Sequence, residues 1–185
     1  MKVIILAGGW GSRLGQQTED IPKPMVLIGN KPVLWHIMKI YSHYGFNEFV
    51  IALGVKGQLI KDYFYNFELR NNDFTIDLSN GEFQIHNKHS DLNWRVTLVE
   101  TGINTLKGGR IKRIEKYLTH DINMITYGDG LANIDINMLF KFHSKHVSSA
   151  TVTSYQIQSQ FGTLNIDKNG EVIKFLEKPL LDVWI

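Results

Sequence analysis

The spacing of apolar residues changes period several times along the chain. Val3-Ile4-Ile5-Leu6 is a short, β-rich apolar run without alternation, and it predicts a strand buried on both faces. Leu34, Met38 and Tyr41 then recur near helical spacing across PVLWHIMKIYSHYG, with Gly45 placed to stop that helix. EFVIAL (48–53) predicts a second strand and QLIKDYFYNFEL a second helix. RVTLVE (95–100), RIKRIEKYL and INMITYGDG continue as strand, helix and strand. DINMLFKFHSKH predicts a further helix and ATVTSY (150–155) a further strand. Strands alternating with helices at this spacing predict an α/β fold with a mostly parallel, doubly wound, Rossmann-like sheet covered on both faces.

Two segments leave that rhythm. DFTIDLSNGEFQIHNK (73–88) alternates apolar and polar positions around Asn80-Gly81, so a small β-hairpin insertion is expected there. GTLNIDKNGEVIKFLEKP predicts another hairpin around Asn169-Gly170. No repeat, low-complexity tract or linker interrupts the chain, and its 185 residues are expected to form a single domain over 1–185.

Composition narrows the function by exclusion. A formal charge of +2, with no basic run interleaved with aromatics, argues against a nucleic-acid partner. The absence of cysteine excludes a disulfide framework and a thiolate metal site, which fits a reducing compartment. Val3–Ala7 is too short for a signal core or a membrane span, so a cytoplasmic location away from membranes is expected.

Three short stretches carry candidate chemistry. In LAGGWGSRLG (6–15) a strand runs straight into a backbone poor in Cβ atoms, which can turn its N–H groups toward a phosphate. Leu14 stands where a dinucleotide loop needs glycine, and the Gly-Lys-Ser/Thr of a P-loop is absent. The alternative is a tight turn without a ligand, although no turn requires Arg13. In IPKPM, two prolines hold Lys23 in a stiff backbone that loses little entropy on meeting a phosphate, against the plainer reading of a solvated loop lysine. In YGDG, Asp129 follows the carboxyl end of an expected strand, where it could hold Mg²⁺ against phosphates or simply make a turn. The pairs His86/His89 and His143/His146 have no further ligand at a spacing suited to zinc, and His36 is expected to pack or cap within its helix.

With these residues in place, the chain resembles the sugar-1-phosphate nucleotidylyltransferases. The shared pattern is Gly-Gly-x-Gly-Thr/Ser-Arg-Leu followed by Pro-Lys-Pro-Met. KPVLWHIMKIYSHYGF, TGINTLKGGRIKRI, YGDGLANIDI, FGTLNI and FLEKP extend the resemblance, in order, to the glucose-1-phosphate cytidylyltransferases, covering Met1 to Pro179. It implies transfer of a cytidylyl group from CTP to α-D-glucose 1-phosphate, giving CDP-glucose and pyrophosphate in nucleotide-sugar and lipopolysaccharide O-antigen biosynthesis. It also implies Mg²⁺ as cofactor and a homo-oligomeric state.

The implied roles fall on individual residues. The backbone of Leu6, Ala7, Gly8, Gly9 and Trp10 would frame the nucleotide. Gly11, Ser12 and Arg13 would hold the triphosphate, with Arg13 beside the leaving pyrophosphate, and Lys23 would bridge to the α-phosphate. Thr105 and Arg110 would contact the nucleotide and help choose it, and Asp129 would hold Mg²⁺. Glu177 and Lys178 would bind the sugar and its phosphate, with Gly162 making room for the hexose. Trp10 stands where a smaller aliphatic residue is usual, Glu100 replaces an Asp, and Lys107 replaces a Thr. The last two lie in the stretch implied to set base choice, which leaves UTP, dTTP and GTP as alternatives. Family members continue past EKP to further core strands and a second metal-binding Asp. The chain is therefore expected to be C-terminally truncated, and a non-catalytic nucleotide-binding module is a further alternative.

Overall fold

Apolar runs buried on two faces set the architecture. In this computed structural model, which describes residues 1–10, 21–86 and 92–185, the first run forms β1 (Val3–Ala7). A 3₁₀ turn (Lys23–Met25) and a two-residue ribbon, β2 (Leu27–Ile28) with β3 (Lys31–Pro32), lead into α1 (Val33–His43). β4 (Glu48–Leu53), α2 (Gly57–Tyr65) and α3 (Phe67–Asn71) follow, then a hairpin of β5 (Phe74–Asp77) and β6 (Glu82–Ile85). β7 (Arg95–Glu100), α4 (Lys107–Ile114), a 3₁₀ turn (Glu115–Tyr117) and β8 (Met124–Tyr127) complete the first of two compact units, Met1–Asn133.

The central sheet has the order β7-β4-β1-β8, all parallel. Successive residues of β1 face opposite ways. Val3, Ile5 and Ala7 pack with Leu34, Ile37 and Met38 of α1 and Ile60 of α2, while Ile4 packs with Val50, Ala52 and Ile114 of α4. Helices thus cover both faces, and the unbroken apolar run in β1 is explained by a strand with no solvent side. The chain steps outward from β1 through β4 to β7, then crosses back to place β8 on the other flank of β1. That reversal opens a crevice at the carboxyl ends of β1 and β8, where ligands of open α/β sheets bind.

Local chemistry sets the element ends. Gly45, at φ 87°, closes α1 as expected. The stretch expected as one second helix is two, because it breaks at Asn66, whose side chain donates to the Asp62 carbonyl at 2.9 Å and competes with helix continuation. His36 reaches outside its helix to the Ile28 carbonyl at 3.1 Å, tying the β2–β3 ribbon to α1. The 73–88 hairpin is present over its described part, with Gly81 at φ 77° in a loop of four residues. His89 and residues 87 and 88 of that hairpin lie outside the described residues.

The second unit, Ile134–Ile185, contains α5 (Ile136–Lys145), β9 (Gln156–Gln158), a hairpin of β10 (Thr163–Ile166) and β11 (Val172–Leu176), and β12 (Leu180–Trp184). Asp135 caps α5 by accepting from the Met138 amide at 2.9 Å. The strand expected over ATVTSY does not form. The strand begins after it, at Gln156, and pairs antiparallel with β12. Val152 is 84% exposed and Tyr155 is 64% exposed. A β-rich composition makes a strand only where neighbours supply a half-buried pleated surface, and here only the last residue, Tyr155, meets one among the described residues, exchanging backbone bonds of 3.0 Å with Ile185. Among the described residues no helix is long and apolar enough to cross a membrane.

Candidate active site

The crevice at the switch point is a cavity of about 620 Å³, a volume suited to a small organic ligand. Its floor is the end of β1 and the stretch Gly8–Trp10 that follows. Lys23 and Pro24 form one wall, residues 103–107 with Arg110 form another, and Tyr127 and Asp129 stand at the end of β8. All these residues belong to the first unit.

The IPKPM turn is fixed by local bonds and by packing. The Met25 amide donates to the Pro22 carbonyl at 2.8 Å, and Pro24 is buried. A Cβ on Gly128 would come within 2.9 Å of Pro24 Cγ, so this glycine lets the end of β8 close on the turn. The result brings Lys23 Nζ to 3.8 Å from the Asp129 carboxylate. Lys23 is largely buried and Asp129 half exposed, so the pair presents both a cation and an anion to the cavity.

Arg110 is the most constrained side chain of the site. It is only 6% exposed, and its terminal nitrogens donate to the carbonyls of Leu53, Gly102, Gly8 and Ile103 and to the Thr101 hydroxyl, at 2.7–3.1 Å. Thr101, fully buried, in turn donates its hydroxyl to the Leu53 carbonyl at 2.5 Å. Burial, with the charge of Arg113 second, lowers the Arg110 pKa from its ordinary value. The fork therefore joins Gly8, the end of β4 and the 101–103 loop before any ligand arrives. A Cβ on Gly8 would sit 2.5 Å from the Arg110 Cζ, and one on Gly54 would sit 2.6 Å from the Gly8 carbonyl. Nothing lies within 4 Å of the corresponding point on Gly9.

Thr105 lines the cavity with its hydroxyl already accepting from Arg113 at 2.6 Å. Trp10 stands at the mouth, 67% exposed. Glu100 turns toward α2, pairing with Lys61 at 2.6 Å. Gly11, Ser12 and Arg13 lie outside the described residues. Gly162, Glu177 and Lys178 belong to the second unit, where Glu177 and Lys178 are exposed and Lys178 adopts the left-handed φ of 44°. The space above Gly162 is taken by the Phe175 ring, 2.6 Å from where a Cβ would stand. No cluster of three or more His, Asp or Glu side chains suited to a metal occurs among the described residues.

Thr101 and the Leu53 carbonyl were not candidates from sequence, because their part in the site exists only through the buried Arg110. Tyr127 also lines the cavity, and its place at the end of a strand is a signal that the sequence carries.

A parallel sheet with its crevice at the strand reversal makes this an open α/β protein whose lysine and aspartate meet at the place where such sheets bind ligands. The chain belongs to the nucleotidyl transferase family, whose sequence pattern matches residues 2–183. It is 46% identical to a probable glucose-1-phosphate cytidylyltransferase of Bacillus subtilis, over 98% of this chain and 70% of that protein. It is equally 46% identical to the glucose-1-phosphate cytidylyltransferase of Salmonella typhimurium, over 97% of this chain and 69% of the relative. The crystal structure of HddC from Yersinia pseudotuberculosis, complexed with GMP-PN, matches with a TM-score of 0.62 at 26% identity, over 96% of this chain and 69% of that one.

Proposed function

We propose that this protein transfers a cytidylyl group from CTP to α-D-glucose 1-phosphate, releasing pyrophosphate and CDP-glucose. The observation that carries nucleotidylyl transfer is the meeting of Gly8–Trp10, Lys23 and Asp129 around one cavity at the carboxyl ends of β1 and β8. Within that chemistry, 46% identity to cytidylyltransferases against 26% to a protein complexed with GMP-PN supports cytosine as the base.

The reaction needs no general base. A phosphate monoester, with a second pKa near ~6, is already mostly dianionic at neutral pH. One of its oxygens attacks the α-phosphorus of CTP, a new P–O bond forms, and the bond to the bridging α–β oxygen breaks to release pyrophosphate. The protein's task is to hold two anions in line and to stabilise charge on the leaving group.

Lys23 faces the α-phosphate in this reading and Arg13 the departing pyrophosphate, while Thr105 contacts the nucleotide. Arg110 acts on the nucleotide through the wall it fixes, holding the Gly8 carbonyl and the 101–103 loop in register. Glu177 and Lys178 are assigned to the sugar phosphate, with Gly162 beside them. A single half-exposed carboxylate at a strand end suits Mg²⁺, which takes one or two carboxylates and completes its shell with phosphate oxygens and water. Asp129 would hold it, and the ion would supply charge neutralisation between the phosphates. A cytoplasmic homo-oligomer working in nucleotide-sugar and O-antigen biosynthesis belongs to the same proposal, on the strength of the resemblance.

The test is to incubate the purified chain with glucose 1-phosphate, Mg²⁺ and each nucleoside triphosphate in turn, and to identify the product by mass. CDP-glucose in excess over every other nucleotide sugar is expected. A larger yield with UTP, dTTP or GTP would overturn the base assignment, and CTP binding with no product would overturn the enzyme.

A further inference from the structure

We propose that Lys107 is a second phosphate-holding cation of this cavity, acting beside Lys23; the proposal rests on the nucleotidylyl-transfer reading. Lys107 is the first residue of α4 and lines the cavity. Its ammonium lies 5.0 Å from the centre of the Tyr127 ring, and among the described residues no carboxylate pairs with it. Tyr127 ends β8, two residues before Asp129, which takes Lys23. Two ammonium groups therefore converge on the end of one strand. Among the described residues, one meets a carboxylate and the other the face of an aromatic ring.

That difference points to a ligand. An exposed ammonium over a tyrosine ring is held weakly, far more loosely than one paired with a phosphate dianion. The position is also electrostatically unfavourable without an anion. Lys107 stands at the positive end of a helix that further carries Arg110, Lys112 and Arg113 and no acidic residue. Lys112 is answered by Glu115 at 2.6 Å, and Arg110 and Arg113 by carbonyls and hydroxyls. Lys107 is left as a cation directed into a cavity for phosphates. The plainer alternative, a surface lysine resting on a ring, leaves its charge without purpose at that helix end.

The ligand group is a phosphate, carried either by the nucleotide or by the sugar, and the experiment separates the two. CTP, cytidine and glucose 1-phosphate are each titrated with the whole chain, Lys107→Met and Lys107→Arg, at fixed Mg²⁺ and salt. Lys107→Met is expected to weaken CTP or glucose 1-phosphate about tenfold and to leave cytidine unchanged, with Lys107→Arg within about threefold of the parent. Whichever phosphate ligand weakens is the one Lys107 holds. Unchanged binding of both phosphate ligands overturns the proposal. So does a loss for cytidine equal to that for CTP, since the side chain would then only shape the base pocket. A parent chain that prefers another triphosphate overturns the cytosine assignment alone, and the same comparison with that triphosphate and its nucleoside then tests Lys107. A parent chain that binds no triphosphate overturns both readings.

Discussion

Two adjacent glycines behave oppositely in the structure, and the reason is one buried arginine. The point a Gly8 Cβ would occupy lies 2.5 Å from Arg110 Cζ, whereas that of Gly9 meets nothing within 4 Å. Gly8→Ala must push the guanidinium away from its acceptors at Gly8, Leu53 and Gly102 and leave buried carbonyls unanswered. A loss of about 2–4 kcal/mol is expected, the scale for breaking a buried charged network. Gly9→Ala is expected to stay within about 0.5 kcal/mol of the parent, as for an open surface position. Urea unfolding of the two variants checks this, and equal losses would mean that Arg110 is not what requires glycine at position 8. In sequence the pair is indistinguishable, since both read as loop glycines inviting an anion. The packing need at Gly8 comes from a side chain 102 residues away, which no local pattern displays.

The elements were legible where burial is complete and obscure where context decides. The strands expected over residues 3–6 and 48–53 form, the first one residue longer, because a strand covered on both faces is apolar over nearly all its length. Gly45, Gly81 and Gly170 marked their turns because each holds a positive φ. ATVTSY misled because propensity was present and a burying partner was not. The break at Asn66 was hidden because Tyr63, Phe64 and Phe67 keep apolar spacing across it, packing ring against ring at 5.2–6.3 Å. Within that cluster the Tyr63 hydroxyl is buried without a partner among the described residues. Burial, partly opposed by Arg70, pushes its pKa up to about 12. A folded-state pKa above the unfolded value of about 10 leaves stability unaffected by this group below pH 10 and lowers it as pH rises from about 10 to 12, where the unfolded chain loses the proton first. Tyr63→Phe should be as stable as the parent at pH 7, or better by up to about 1 kcal/mol, because it removes an unsatisfied group. The gap should widen in favour of the variant above pH 10. Denaturation midpoints of both proteins across pH 7–11 give the measurement, and a variant that is clearly weaker at pH 7 would show that the hydroxyl has a stabilising partner.

At the scale of the whole chain, the buried apolar side chains among the described residues lie between Val3 and Ile114, with Ile136 the exception. The parallel sheet therefore has a core on both faces, while the second unit exposes Phe161, Ile173, Phe175 and Trp184 at 59–77%. The β5–β6 hairpin is likewise exposed over Phe74, Ile76 and Phe83. Amide exchange should follow that division. Ile4, Ile5, Val50 and Ile51 are expected to exchange only through global unfolding, at the full stability of the domain. Amides of residues 163–176 and of the 74–85 hairpin should open locally, at least ~100-fold faster. Equal protection of Val50 and Phe175 at low protein concentration would overturn this picture of one stable sheet with lightly held hairpins. Concentration supplies the second half of the test. A homo-oligomer that covers the exposed rings of the second unit would slow exchange over 163–184 as the protein is concentrated, leaving β1 and β4 unchanged. Protection over 163–184 that stays constant across a hundredfold range of concentration, in a protein that sediments as a monomer, would remove self-association from the proposed function. CTP should then be added at the lowest concentration. Protection should rise at Gly8–Trp10 and at 103–107, the two walls that Arg110 joins, and a rise confined to the second unit would move the nucleotide out of the cavity at the sheet's switch point.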